Sequence, residues 1–279
     1  MLQKVPEGAE GFPAGPPPSP GPSTDTAHVN LQILGTERRF PVEVLLGPRR
    51  LPELLSAARE FTRQATAAAL ERSAAQGRTV SCGPGCGACC RQLVAISTVE
   101  ARALAELVEA MPAERRRGIR ERFASALRRL EQAGLLDPQA PPGDRALVAA
   151  ASLRRAMLEE VSRRYFELRV PCPFLEDESC GIHEHRPLVC REYHVVSPAE
   201  RCARLYQEPV EKVEPPLHMG EVMAALAARI AGTKGRTLPL VLALEWNDRH
   251  GAELEATHDG LAMFQAMLKL IEEGPAPAG

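Results

Sequence analysis

All eight cysteines of this 279-residue chain fall in two segments, and that clustering limits what the chain can fold into more than any other feature. The first, SCGPGCGACC, places Cys82, Cys86, Cys89 and Cys90 within nine residues. The second, PCPFLEDESCGIHEHRPLVCREYHVVSPAERC, spreads out Cys172, Cys180, Cys190 and Cys202, and the 81 residues between Cys90 and Cys172 contain no cysteine. Cysteines kept only as small hydrophobes would be scattered along helical stripes. Thiolates instead suit zinc, cuprous copper and iron-sulfur clusters, and several of them held together without a cation would concentrate negative charge. Gly83, Gly85 and Gly87 let the first loop bend so that successive N–H groups turn toward sulfur, and Pro84 stiffens the turn.

Spacing narrows the choice of metal without deciding it. A structural zinc site usually recruits two C-x2-4-C pairs, which the first segment can supply. The second separates its cysteines by seven, nine and eleven residues. Ligands given singly by a wrapping chain fit a polynuclear cluster or two interleaved sites better, and adjacent Cys89 and Cys90 are awkward partners on one tetrahedral ion. An iron-sulfur cluster or iron therefore leads, zinc follows, and metal-free thiols or disulfides stay open. Cys82, Cys86 and Cys89 also match the C-x3-C-x2-C signature of radical S-adenosylmethionine enzymes, but the chain lacks the alternating strands and helices of their barrel.

Around these ligands, Arg186, Arg191 and Tyr193 are placed to balance thiolate charge or donate to sulfur, and His183, His185 and His194 sit between or beside the second-segment cysteines. Of these, His183, Arg186, Arg191 and Tyr193 are the expected supporting residues. Phe174, Leu175 and Ile182 are expected to form an apolar wall, with Pro187 fixing the chain direction.

The rest of the chain supplies the scaffold. Residues 1–28 are proline-rich with little to bury and read as a disordered tail; period-two alternation over 29–47 predicts a hairpin with Pro41 on an edge strand. From there the pattern is helical. A helix is expected from Pro52 to a stop at Gly77, and a second opens with the Ser97/Glu100 capping-box spacing. A third carries Ile119, Phe123, Leu127 and Leu130, and a fourth is capped by Asp144 and carries Leu153, Met157, Val161 and Tyr165. Further helices are expected near 198–208, 220–231, 238–249 and 260–273. The arginine-rich third helix reads as a solvated face, with a patch for an acidic partner as the alternative, and the LPLVLALEW run around Trp246 reads as core. Fold class is thus mainly α: an irregular helical bundle around two cysteine-rich metal-binding segments, with a short N-terminal β-hairpin. The domain reading is a tail at 1–28, the hairpin at 29–47, a cysteine-cluster domain at 48–210 and a C-terminal helical extension at 211–279.

Composition removes other classes. Lysine and arginine total 34 against 36 acidic residues, a net charge of −2, and no run reaches the length of a membrane helix, so neither nucleic acid nor membrane is an expected partner. Only Lys4, Lys212, Lys234 and Lys269 are lysines, and none follows a P-loop glycine pattern. The N-terminal stretch lacks the basic-then-apolar pattern of an export signal, which predicts a cytoplasmic, reducing setting.

Taken together, C-x3-C-x2-CC at 82–90, CPFL at 172–175 and C-x-I-x-x-x-RP-x-x-CR-x-Y from Cys180 to Tyr193 resemble the CxxCxxCC, or YkgJ-like, cysteine-cluster family. The resemblance implies a compact bacterial zinc- or iron-chelating module. Cys82, Cys86, Cys89, Cys90, Cys172, Cys180 and Cys190 fall on the family's cysteines, Cys202 less firmly. Arg186, Pro187, Arg191 and Tyr193 fall on its RP and CR-x-Y elements, and His183 stands where a tyrosine is usual. A related branch, the flagellin lysine N-methylases, implies an alternative: a protein lysine methyltransferase using S-adenosylmethionine, although no GxGxxG loop follows a predicted strand. The function expected is metal binding for redox, metal handling or structure, with a protein partner or substrate left open.

Overall fold

The computed structural model describes residues 23–148, 155–232 and 235–274. It opens with an antiparallel hairpin of β1 (Thr24–Ile33) and β2 (Thr36–Leu45). The hairpin begins earlier than expected: residues 24–28, read from sequence as the end of the tail, pair with 41–45, and residues 1–22 lie outside the described residues. Val29, Phe40, Val42 and Val44 bury one face of it. Pro41 lies opposite His28 in this two-stranded sheet, where a missing N–H is tolerated.

After β3 (Pro48–Arg50) and a 3-10 turn at Leu51–Leu54, α1 (Leu55–Ala75) stops before Gly77, which takes φ +74°. The first cysteine segment runs as an irregular loop into a 3-10 turn, Ala88–Arg91, then into β4 (Ala95–Ser97) and α2 (Thr98–Glu109). The Ser97/Glu100 capping box is present. Next come α3 (Ala113–Gln132) and α4 (Arg155–Glu167). Asp144 does not cap the fourth helix as expected. It pairs with Arg249 and His250, and Leu147 instead bridges Leu136. Leu153 lies outside the described residues.

The second segment is built from short pieces: β5 (Leu175–Glu176), β6 (Ser179–Cys180), a 3-10 turn at His183–His185, α5 (Leu188–Glu192) and β7 (His194–Val195). The helix expected near 198–208 is only a 3-10 turn, Ala199–Arg204, before β8 (Lys212–Val213) pairs with β7. Then α6 (Met219–Ala231) ends on Gly232 at φ +67°. The helix expected over 238–249 is shortened, because β9 (Thr237–Pro239) pairs with β4 and a 3-10 turn precedes α7 (Ala243–His250). Finally β10 (Thr257–Asp259) pairs with β3, and Asp259 caps α8 (Gly260–Glu273).

Two of the apolar clusters flank the cysteines. One joins the hairpin, α1, α6 and α8 and includes Leu188, two residues before Cys190. The other joins β4, α2, the first half of α3 and α7 to Phe174 and Ile182, with Cys172 and Cys180 packed against it. Trp246 is core, as expected. No helix among the described residues is long and apolar enough to cross a membrane.

Candidate metal centre

Backbone hydrogen bonds bring the two cysteine segments into contact. The Cys172 N–H donates to the Cys90 carbonyl at 2.7 Å, and the Ser81 N–H to that of Val195 at 3.0 Å. Gly87 is needed for this approach, since a β-carbon there would lie 2.8 Å from Leu175 Cδ1 and 2.6 Å from Glu178 Oε2. The tight β5–β6 turn puts Asp177 and Glu178 at φ +47° and +56°. Arg91 grips that turn from the first segment, bonding Glu178 through two nitrogens at 2.9 and 2.5 Å and the Gly87 carbonyl at 2.9 Å.

The α3 arginines also reach the centre. Arg115 donates to the Gly181 carbonyl at 2.7 Å and contacts Glu176 at 3.3 Å, while Arg122 bonds Glu176 at 2.8 Å. The face read from sequence as solvated is therefore in part a clamp on the second segment. Arg116 and Arg120 pair with Glu109. Sequence periodicity gave no sign of these long-range bonds.

Electrostatically, Cys89 stands between two groups of thiols. Cys82 and Cys202 face Cys89 and Cys86, whereas Cys172 and Cys190 face Cys89 and Cys180. Burial pushes the Cys172 thiol up to about 12 and that of Cys202 up to about 11, and it raises Cys82 and Cys190. Cys89 is raised first by its hydrogen bond to Cys90 and then by burial. These five thiols thus hold their protons at neutral pH, and a metal binding there would have to displace them. Among the described residues no three cysteine, histidine or carboxylate groups converge to grip an ion as they stand.

The expected supporting residues separate. Tyr193 accepts from Gln92 Nε2 at 3.1 Å and hydrogen-bonds Cys202. Arg186 lies beside Cys82 and Cys89. Arg191 donates to the backbone carbonyls of Arg186 and Glu184, and Cys190 adds to its field. His183 is 63% exposed and sits 3.6 Å from Glu184. His185 is exposed; His194 is half-buried in β7 with its Nδ1 lacking a partner among the described residues. Phe174 and Ile182 are buried as the expected wall, Phe174 edge-on to Phe123, while Leu175 is half-buried.

Two carboxylates that the sequence did not single out for the site anchor α5, which carries Cys190. Glu100 accepts from the Leu188 N–H at 2.8 Å, the Ser97 N–H at 2.9 Å and the Ser97 hydroxyl at 2.7 Å. Glu192 accepts from the Met219 N–H at 2.9 Å. The capping-box spacing located Glu100, but its second bond, to a residue 88 positions away, leaves no local signal.

Residues 81–211 match the family described as a putative zinc- or iron-chelating domain, CxxCxxCC. Over this stretch, a little under half of the chain, the protein is similar to the CxxCxxCC family. The CxxCxxCC match contains all eight cysteines, Cys202 included. Neither the comparison with curated proteins nor that with solved structures yields a match. The residues present suit a thiophilic metal such as zinc or iron. The donors are soft thiols, and the buried Nε of Arg186 has no hydrogen-bond partner among the described residues while its guanidinium lies beside neutral sulfurs. Metal-bound thiolates would supply part of the negative charge that this guanidinium lacks.

Proposed function

We propose that the two cysteine segments together chelate metal as one polynuclear thiolate centre, with an iron-sulfur cluster the leading occupant and zinc the second, serving redox, metal handling or structure. The observation that carries this reading is the position of Cys89, which faces thiols of both groups. A single tetrahedral ion needs only four ligands, whereas a cluster or two neighbouring ions use more, with shared ground between them. In this reading Cys82, Cys86 and Cys202 serve one side of Cys89, and Cys90, Cys172, Cys180 and Cys190 the other.

When bound, the centre would supply electron storage as an iron-sulfur cluster, or a structural or soft Lewis-acid site as zinc. The chain's own residues do the rest. Arg186 offsets thiolate charge, Tyr193 orients the Cys202 sulfur, Phe174 and Ile182 keep water from one side, and Glu100 fixes the start of the helix that bears Cys190.

The test is elemental analysis with an absorption spectrum on protein purified without oxygen. Iron with acid-labile sulfide and a broad visible charge-transfer band is the expected result. Zinc in a colourless protein would move the assignment to the second occupant, and protein that binds neither metal after reconstitution would overturn the reading.

A further inference from the structure

Beside the cysteine centre, between α1, α2 and the start of α5, lies a small cleft of about 30 Å³, partly open to solvent. Arg59, His185 and Arg186 line it together with Glu100, over an apolar floor that includes Leu104 and Leu107. The charges are unbalanced. Arg59 and Arg186 both lie close enough to Arg191 to lower its proton affinity, so three guanidinium groups share this corner. Arg191 is satisfied by the Arg186 and Glu184 carbonyls. Arg59 and Arg186 make no side-chain hydrogen bond or ion pair among the described residues, and the Arg186 Nε is buried. Glu100 is the carboxylate that faces Arg59, yet its two oxygens are already occupied by three donors from Ser97 and Leu188. Half-buried guanidinium groups are rarely left without an acceptor, because desolvation without a partner is costly.

We propose that this cleft binds a small oxyanion, a carboxylate or a phosphate, between Arg59 and Arg186, with His185 at its rim. The planar forks of two arginines suit two-oxygen recognition of such groups. Arg186 lies between this site and Cys82 and Cys89, so its charge is shared with the metal centre. Arg59 faces Glu100, with no thiol among the groups acting on it, which lets the two sites be tested apart.

The experiment is calorimetric titration of the full chain, at fixed ionic strength in chloride, with inorganic phosphate and separately with propionate. Saturable binding of either probe is expected, weakened at least about tenfold in Arg59→Gln and less in Arg59→Lys, while Arg117→Gln on the far surface of α3 binds as the parent does. The preferred probe identifies the source of the oxyanion. Metal content and circular dichroism are measured on the same samples. If Arg59→Gln is misfolded, Arg59→Lys decides, since loss of the fork with charge retained must still weaken binding. No saturable binding of either probe, or affinity within twofold of the parent in a folded Arg59 variant, overturns the proposal. Metal loading is read separately, so failure of the chelation reading would not be mistaken for failure here.

Discussion

Glu178 lies so close over Gly87 that a β-carbon at that glycine would stand 3.1 Å from the Glu178 Cα as well as against its carboxylate. The carboxylate can swing away and the half-buried Leu175 side chain can turn, but the Glu178 backbone cannot give way without moving the β5–β6 turn. Gly87→Ala is therefore expected to cost about 1–3 kcal/mol of stability by overpacking and to lower metal bound per chain. Urea unfolding and metal analysis of the variant check both effects. Unchanged metal content would mean that the contact between segments is not needed for chelation.

Because Cys89 faces both thiol groups, Cys89→Ser is expected to lower bound metal more than Cys86→Ser or Cys180→Ser, each of which removes a sulfur from one side. Metal stoichiometry of the three variants, reconstituted under identical anaerobic conditions, gives the ranking. Equal losses in all three would remove the special place of Cys89.

Chelation should strengthen with rising pH. The folded thiols of Cys172 and Cys202 titrate at about 12 and 11, so throughout the neutral range each bound metal must displace their protons, and every proton displaced steepens the dependence by about tenfold per pH unit. Competition with a chromophoric chelator between about pH 6 and about pH 8 measures it. A flat profile would show that the ligand thiols are already ionised.

Stability of the metal-free protein should run the other way. Glu192 has an ordinary value of 4.5 and is raised by burial to about 7 in the fold, where it lies near His218, Glu100 and Glu221. Between those two values the native chain holds a proton that the unfolded chain has lost. Its contribution is thus greatest below about pH 4.5, declines as pH rises, and levels off above about pH 7, a change of at most about 3 kcal/mol. Denaturant unfolding of parent and Glu192→Gln at about pH 5 and about pH 7.5 isolates this slope, which the variant should lose.

The part of the fold legible in the sequence was the part governed by neighbours along the chain. Ser97 and Glu100 announced their helix start by spacing, and Phe174, Ile182 and Trp246 are buried as their apolar context implied. Asp144 looked like a cap because aspartate before a helical stretch usually is one, yet its partners, Arg249 and His250, lie about a hundred residues further on. The same reason hid Arg115 and Arg122, whose periodicity marks an exposed face and whose partner Glu176 belongs to another segment. The cysteine spacing singled out the candidate donors, but only the fold joins the Cys172 N–H to the Cys90 carbonyl and brings the two segments together.

Arg115→Ala and Arg122→Ala should each destabilise the second segment by up to about 1 kcal/mol, since these ion pairs are more than a third exposed, whereas Arg117→Ala should stay within about 0.5 kcal/mol. Hydrogen exchange of the Gly181 to Glu184 amides, faster in the first two variants and unchanged in the third, would distinguish a local clamp from a general surface effect.

The pairing of β3 with β10 joins Pro48–Arg50 to Thr257–Asp259. On a ribosome, every cysteine, the last at position 202, is made well before residue 259, while the frame around the two segments still lacks its last strand. The frame around the cysteine segments is therefore completed from the far end of the chain, by the strand that pairs with β3.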